Sequence, residues 1–238
     1  MACGSNQHAR RLFDGIAREY DLVPDLLSFF QYRLWRRYLV SRLDVGPDDQ
    51  VLDLCTGTAG VARQVAARYQ SRVVGVDLST AMLKRAQHNI ARHGQKNRVS
   101  LAAGRAESLP FADDTFDGVC VTFLFRYVDD TESTLQEIIR VLKPGGRLVL
   151  LEFGVPHFWW ARLPWYAYTR GFLPLAGGAI SRGWWRVGAF LGPSISRLYQ
   201  SQPESKFLDL WGKLGLPDAT LKHLSLGGAV VMWGTKEG

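Results

Sequence analysis

Apolar and polar positions alternate in a regular order between residues 50 and 153. Short apolar runs at 50–54, 72–76, 98–102, 116–122 and 147–153 predict buried strands. The stretches 59–69, 79–92 and 130–142 carry apolar residues at helical spacing, and Lys143-Pro144-Gly145-Gly146 stops the last of them. Strands that alternate with helices at this spacing imply a parallel sheet covered on both faces. Ahead of this core, residues 9–22 predict a short amphipathic helix and turn. Asp25–Arg42 predicts a longer helix, with Leu26, Leu27, Phe30, Leu34, Arg37 and Tyr38 on its spacing, ended by Gly46-Pro47-Asp48-Asp49. At the other end, Pro203–Leu214 reads as a helix. Strands at 220–226 and 229–235, joined around Gly227-Gly228, read as a terminal β-hairpin completing the sheet. The expected fold is α/β: a doubly wound, mostly parallel seven-stranded sheet with a terminal antiparallel hairpin and an N-terminal helical cap. The cap is assigned to 1–45 and the main domain to 46–238, with 154–203 as an insertion.

Candidate chemistry sits in the first two strands. Val51-Leu52-Asp53-Leu54-Cys55-Thr56-Gly57-Thr58-Ala59-Gly60 runs from a buried strand into a loop of small residues, and Val73-Val74-Gly75-Val76-Asp77 ends in a carboxylate. A doubly wound sheet holds a nucleoside this way: the loop lets backbone approach the ligand, and the acid accepts from ribose hydroxyls. The competing reading of Asp77 is a strand-end acid capping the helix that starts near Ser79.

Composition narrows the rest. The 238 residues, 47% hydrophobic, suit one domain with an embellishment. Cys3, Cys55 and Cys120 are far apart and lack metal-ligand spacing, so a reduced, cytosolic protein without disulfides is expected. Met1–Arg18 lacks an apolar run, and no stretch approaches the roughly 20 apolar residues of a membrane span. The formal charge is +7, which favours anionic partners. Its placement is uneven. Between Glu152 and Glu204 there is no acid at all, but there are Arg162, Arg170, Arg182, Arg186 and Arg197 and five of the eight tryptophans. Tryptophan and arginine around a short apolar stretch (172–180) suit the inner face of an anionic membrane, or an aromatic lid over a lipid-tail site. The segment is too apolar for a nucleic-acid face, and none is expected.

The loop lacks the Gly-x-Gly-x-x-Gly of dinucleotide sites. It resembles motif I of class I S-adenosylmethionine methyltransferases, with Asp53 as the acid, Gly57 as the central glycine, and Cys55 and Ala59 in place of the outer two. Further blocks are similar to the UbiE-like C-methyltransferases of ubiquinone and menaquinone biosynthesis: 13–21 (FDGIAREYD), 26–29, 33–37, 107–111 (ESLPF), 114–117, 140–147 (RVLKPGGR) and Leu151-Glu152-Phe153. The resemblance covers about 12–155 and returns at 227–236. It implies a Rossmann-like class I methyltransferase fold, the cofactor S-adenosyl-L-methionine and the product S-adenosyl-L-homocysteine.

Residue by residue, the resemblance places Asp53, Gly57, Thr58, Asp77, Leu78, Arg105, Ala106 and Thr122 at the cofactor. Thr58 opens a helix facing the methionine end, Asp77 takes the ribose, and Arg105-Ala106 lies at the adenine. It places Arg126 in the substrate site, stabilising a phenolate oxygen as charge develops. Without the resemblance, Arg126 is equally a surface arginine pairing with Asp129 or Asp130. Asp14, Tyr20, Asp21 and His157 are the candidate general bases. Tyr20 and Asp21 are assigned to catalysis or lid closure, and Asp14, Phe29, Arg33, Tyr127 and His157 to the acceptor. Arg105 departs from the acceptor side chain usual at the adenine, because guanidinium cannot accept, and Tyr127 stands where the family has Asn. Three functions stay open: a quinol-ring C-methyltransferase at the membrane, a methyltransferase acting on another lipid-like acceptor such as a phospholipid amine, and a cofactor-binding regulatory relative. A homodimer is also left open.

Overall fold

The computed structural model describes residues 6–238, so Cys3 lies outside the described residues. The chain builds one seven-stranded sheet in the order β3-β2-β1-β4-β5-β7-β6. Its strands are β1 (Gln50–Leu54), β2 (Arg72–Asp77), β3 (Val99–Ala103), β4 (Phe116–Thr122), β5 (Leu142–Phe153), β6 (Thr220–Leu224) and β7 (Ala229–Thr235). The first five are parallel, and β7 runs antiparallel between β5 and β6. The chain order reverses between β1 and β4, so the carboxyl ends of those strands open a crevice there, the ordinary ligand position of such sheets.

Both faces are covered because the central strands are apolar on both sides. On one face α3 (Gln31–Val40), α4 (Gly60–Tyr69) and α5 (Thr80–Arg92) bury Trp35, Leu39, Val65 and Ile90 against Val51, Val73 and Val149. On the other, α6 (Thr131–Arg140) and α10 (Glu204–Lys213) bury Leu135, Ile138, Phe207 and Trp211 against Leu52, Val121 and Leu148. The packing does not divide at residue 46, since α3 shares a core with the sheet.

Two local expectations change. The helix expected over 25–42 is broken into α2 (Val23–Leu27) and α3, because Phe29 and Phe30 take positive φ values of 50° and 63°. Bulky residues avoid that region unless the surroundings compel it. Here Phe29 stacks on Phe172 at 5.9 Å, and the buried Asp25 holds Arg33 at 2.6 Å and Arg36 at 3.5 Å across the break. The other change is in β5, which begins at Leu142 rather than 147. The Lys143–Gly146 stretch is taken into the strand as an irregularity between the pairs Phe116–Leu142 and Gly118–Arg147.

The acid-free insertion folds as helices. α7 (Trp159–Ala167) passes through a π-helical turn (Tyr168–Phe172) into α8 (Leu173–Ile180), and α9 (Arg182–Ser201) returns over it. Pro174 has no N–H to give, which suits the altered ladder at this turn. The close crossing of α8 and α9 depends on glycine. A Cβ on Gly188 would lie 2.6 Å from the Leu173 carbonyl oxygen, and one on Gly177 would lie 2.5 Å from that of Trp184. With α1 (Asn6–Asp14) and α2, this hairpin roofs the crevice: Trp184 packs with Ile16, Ala17 and Val23.

Candidate active site

The loop after β1 is held from below and from the side by two carboxylates. Asp53 is fully buried. Its Oδ2 accepts from Thr56 Oγ1 at 2.6 Å and from the Ala62 backbone N at 2.9 Å, tying the loop to the start of α4. Burial pushes its pKa up from 3.8 to about 7, against these hydrogen bonds. Asp77, at the tip of β2, accepts from Gly57 N and from Ser79 N, both at 2.8 Å. Burial raises its pKa too. The cap of α5 is Ser79, whose Oγ accepts from Met82 N. Asp77 is therefore not that cap.

The loop takes the backbone shape of a glycine-rich turn although only its centre is glycine. Cys55, Gly57 and Ala59 have φ of 57°, 53° and 63°. For the two L-residues this costs about 1–2 kcal/mol each, a cost borne by the surrounding β1, β2 and α4.

The loop from Cys55 to Thr58 and Asp77 border a cavity of about 570 Å³. Gly57, Thr58, Asp77, Leu78, Ala106 and Thr122 line it, and so does Arg105. Arg36 reaches in from α3 over the N-terminus of α4, stacked on Tyr32 at 4.2 Å. A carboxylate and loop backbone at one end suit ribose hydroxyls, and a guanidinium beside a helix N-terminus suits an amino-acid carboxylate. The donor set thus fits S-adenosylmethionine.

A second cavity, of about 340 Å³ and almost wholly apolar, adjoins the first. Phe13, Tyr20, Tyr32, Phe123 and Tyr127 line both. Trp165, Leu173, Trp184 and Leu191 of the insertion form its roof. One charged side chain, Arg126, is in its wall. Arg126 is 4% exposed and donates from Nε to Glu152 at 2.9 Å, with Nη1 3.4 Å from Tyr127 Oη and from Ser194 Oγ. It also lies over the Phe153 ring at 5.0 Å. Burial opposes its charge, but the phenol of Tyr127 and the carboxylate of Glu152 outweigh that and raise its pKa above the ordinary value. The Asp129/Asp130 pairing considered from the sequence is absent: Asp130 caps α6, accepting from Glu132 N and Ser133 N.

The other sequence-predicted residues fall as follows. Tyr20 faces both cavities, stacks on Trp184 at 6.0 Å, and is buried, which holds its phenol well above pKa 10. It keeps its proton at neutral pH and is not a base there. Asp21 lines the first cavity only, bound to Arg85 at 2.7 Å and Asn89 at 2.9 Å. Asp14 accepts from Ser79 Oγ at 2.5 Å, behind the cavity wall. Arg33 borders the first cavity, Phe29 the apolar one and Tyr127 both. Asp53 lies under the loop and lines neither. The Arg105 side chain is 60% exposed, 3.8 Å from Glu107. Thr58 precedes the helix, which opens at Gly60. His157 lies outside both cavities, against His223. Sequence reasoning missed Glu152, Asp25 and Arg36 as parts of the site. A lone acid in the apolar run of β5 was the signal for Glu152, since such a group is rarely buried without a cation.

The model of the ubiE/COQ5 methyltransferase family matches residues 1–236. The chain is 34% identical over 229 residues to a protein of Geotalea daltonii named ubiquinone/menaquinone biosynthesis C-methyltransferase UbiE, with 95% of each chain covered. It is 33% identical over 233 residues to a demethylmenaquinone methyltransferase of Symbiobacterium thermophilum, covering 97% of this chain and 93% of that one. Among solved structures it resembles a putative S-adenosyl-L-methionine-dependent methyltransferase of Methanococcus maripaludis, with TM-score 0.64, 15% identity and 94% of both chains covered; that likeness shows the fold.

Proposed function

Because the chain belongs to the ubiE/COQ5 methyltransferase family and is an S-adenosylmethionine-dependent methyltransferase, we propose that it methylates a ring carbon of a polyprenyl quinol drawn from a membrane surface. The observation that carries this reading is the apolar cavity. It shares five aromatic residues with the cofactor cavity, and Arg126 is in its wall.

When bound, S-adenosylmethionine supplies an electrophilic sulfonium methyl. The chain's own work is alignment, exclusion of water and charge stabilisation. Asp77 would accept from the ribose hydroxyls, Arg36 and the α4 N-terminus would hold the methionine carboxylate, and Ala106 would pack at the adenine. Phe13, Tyr20 and Tyr127 close the junction between the cavities, so the reacting atoms meet in a dry, aromatic-walled space. Such positioning contributes up to ~7–11 kcal/mol in well-oriented systems.

A quinol ring carbon becomes nucleophilic when a neighbouring hydroxyl loses its proton. Arg126 lowers that hydroxyl's pKa by holding the developing phenolate oxygen, and Glu152 fixes the guanidinium plane. Arg126 cannot take the proton itself. Of the four bases considered, Tyr20 is held protonated, Asp14 and Asp21 are tied to other groups, and His157 is elsewhere. None of the four is placed to take the hydroxyl proton, so it is given up to bulk water as the quinol enters. After methyl transfer the ring carbon's own hydrogen moves as a proton to that oxygen and restores the aromatic ring.

Membrane contact is supported by exposed apolar side chains on the segments that line the apolar cavity, α7, α8 and the turn before α3. Trp159 is 82% exposed, Leu163 76%, Leu175 75% and Phe29 65%. The insertion carries five arginines and no acid. Among the described residues no helix is long and apolar enough to cross a membrane, so the contact is an interfacial one.

Transfer of labelled methyl from S-adenosylmethionine to demethylated quinols, with phospholipids as competing acceptors, tests the chemistry. Quinol labelling is expected, and labelling of phospholipid alone overturns the reading. Flotation with anionic vesicles tests the membrane part: W159S/L175S is expected to float less than the parent protein, and a parent that stays at the bottom refutes it.

A further inference from the structure

Outside both cavities, three side chains from separate parts of the chain meet at one point. His157 is in the connection from β5 to α7, Glu204 is the first residue of α10, and His223 is on β6. His157 Nε2 lies 2.7 Å from His223 Nε2, and Glu204 Oε2 lies 2.9 Å from His223 Nε2 and 3.3 Å from His157 Nε2. The two imidazole planes are 86° apart. We propose that His157, Glu204 and His223 bind one divalent transition-metal ion of the zinc type.

Hydrogen bonding alone serves this triangle poorly. A neutral imidazole nitrogen is either a donor or an acceptor. If both Nε2 atoms carry protons to reach Glu204, those protons also face each other. If one is bare, its lone pair cannot approach the carboxylate. A cation accepts all three lone pairs at once. At the usual zinc–ligand distances of about 2.0–2.2 Å, an ion equidistant from the three atoms sits roughly 1 Å out of their plane. Its other side is left for solvent. Two imidazole nitrogens and one carboxylate oxygen select zinc and its first-row neighbours over calcium and magnesium, which take oxygen. None of the three residues is needed by the methyl-transfer site, because none lines either cavity.

The location gives the ion a task. His157 and Glu204 flank the insertion where the chain leaves the sheet and where it returns, and His223 belongs to the sheet itself. A bound ion ties both ends of the α7–α9 roof to β6. It thereby anchors the element that lines the apolar cavity through Trp165, Leu173 and Trp184. The site is a clamp on the root of the roof and takes no part in the reaction.

The test uses the full chain without an affinity tag, Co²⁺ as a spectroscopic probe and Zn²⁺ as competitor. The parent protein is expected to bind one Co²⁺ with visible d–d absorption that Zn²⁺ removes. H157A and H223A each weaken binding at least about tenfold, no less than loss of an outer-shell partner. Their circular dichroism and S-adenosylmethionine affinity stay unchanged, which separates loss of a ligand from loss of fold. Zn²⁺ raises the Tm of the parent and not of H157A/H223A, because only a native state that binds is stabilised. Equal Co²⁺ affinity in parent and double variant overturns the proposal. So does an equal Zn²⁺-induced Tm rise in both, or no saturable Co²⁺ binding by the parent at about 1 mM, the weakest affinity worth the name of a site.

Discussion

The Arg126–Glu152 pair separates stability from catalysis. Both side chains are nearly inaccessible, and they meet at 2.9 Å. E152A leaves the guanidinium buried without its carboxylate. Breaking a buried pair on one side costs about 3–5 kcal/mol, and each kcal/mol moves the Tm of a protein this size by roughly 2–4 °C. The expected fall in Tm is therefore about 6–20 °C. R126M/E152L removes both charges and fills the space with apolar atoms among Phe123, Phe153 and Tyr127. Such replacements range from neutral to stabilising by about 1–4 kcal/mol, so the double variant should melt near or above the parent. Neither residue lines the cofactor cavity, and S-adenosylmethionine affinity by calorimetry should not change in the double variant. Turnover should still fall by about 10²–10³, the usual effect of removing a preorganised oxyanion donor. Thermal unfolding, calorimetry and methyl-label transfer on the same three proteins measure all of this. A double variant that folds, binds cofactor and keeps turnover within about tenfold of the parent would falsify the role given to Arg126. An E152A protein that melts with the parent would remove the ion-pair argument.

Other outcomes follow from the same geometry. Asp53 has its folded pKa raised from 3.8 to about 7, so the stability of the neutral form is complete below about pH 4 and is lost as pH rises through 7. This is worth on the order of 4 kcal/mol at most. D53N should flatten cofactor-free urea stability across that window, and an unchanged pH slope rejects the argument. D77N puts an amide where Gly57 N and Ser79 N donate, and removes the charge that suits a cationic cofactor. S-adenosylmethionine Kd should rise at least about tenfold, in the range of a lost charge-assisted hydrogen bond. G188A forces α9 from α8 because its Cβ would meet the Leu173 carbonyl. About 1–3 kcal/mol of stability should go, with quinol KM rising and cofactor Kd unmoved. An effect confined to the cofactor would contradict the assignment of this hairpin to the acceptor cavity.

Much of the architecture could be read along the chain because its signals are local. The apolar runs of β1, β2 and β4, the helical spacing after them, and the loop ending at Gly60 each need only neighbours within a few residues. The break at Phe29-Phe30 could not be read, since local preference opposes positive φ at both. Tyr168 and Phe172, from elsewhere in the fold, impose it together with the Asp25 ion pairs across the break. The early start of β5 was hidden for a related reason: Lys143-Pro144-Gly145-Gly146 carries a strong stop signal, and only pairing with β4 shows that the strand passes through it.

The site divides along the same line. A strand, a small-residue loop and Asp77 by themselves point to a nucleoside cofactor at the ends of β1 and β2, because crossover handedness and strand order leave that loop one place to go. What the cofactor's methyl meets was decided by tertiary structure alone. The apolar cavity draws on α1, α2, α3, the loop after β4, β5, α7, α8 and α9, with lining residues from Phe13 to Gly228 in a chain of 238. Whether an arginine such as Arg126 faces solvent acids or a buried glutamate depends on which strand lies beside it. Packing sets that, and no periodicity in the sequence records it.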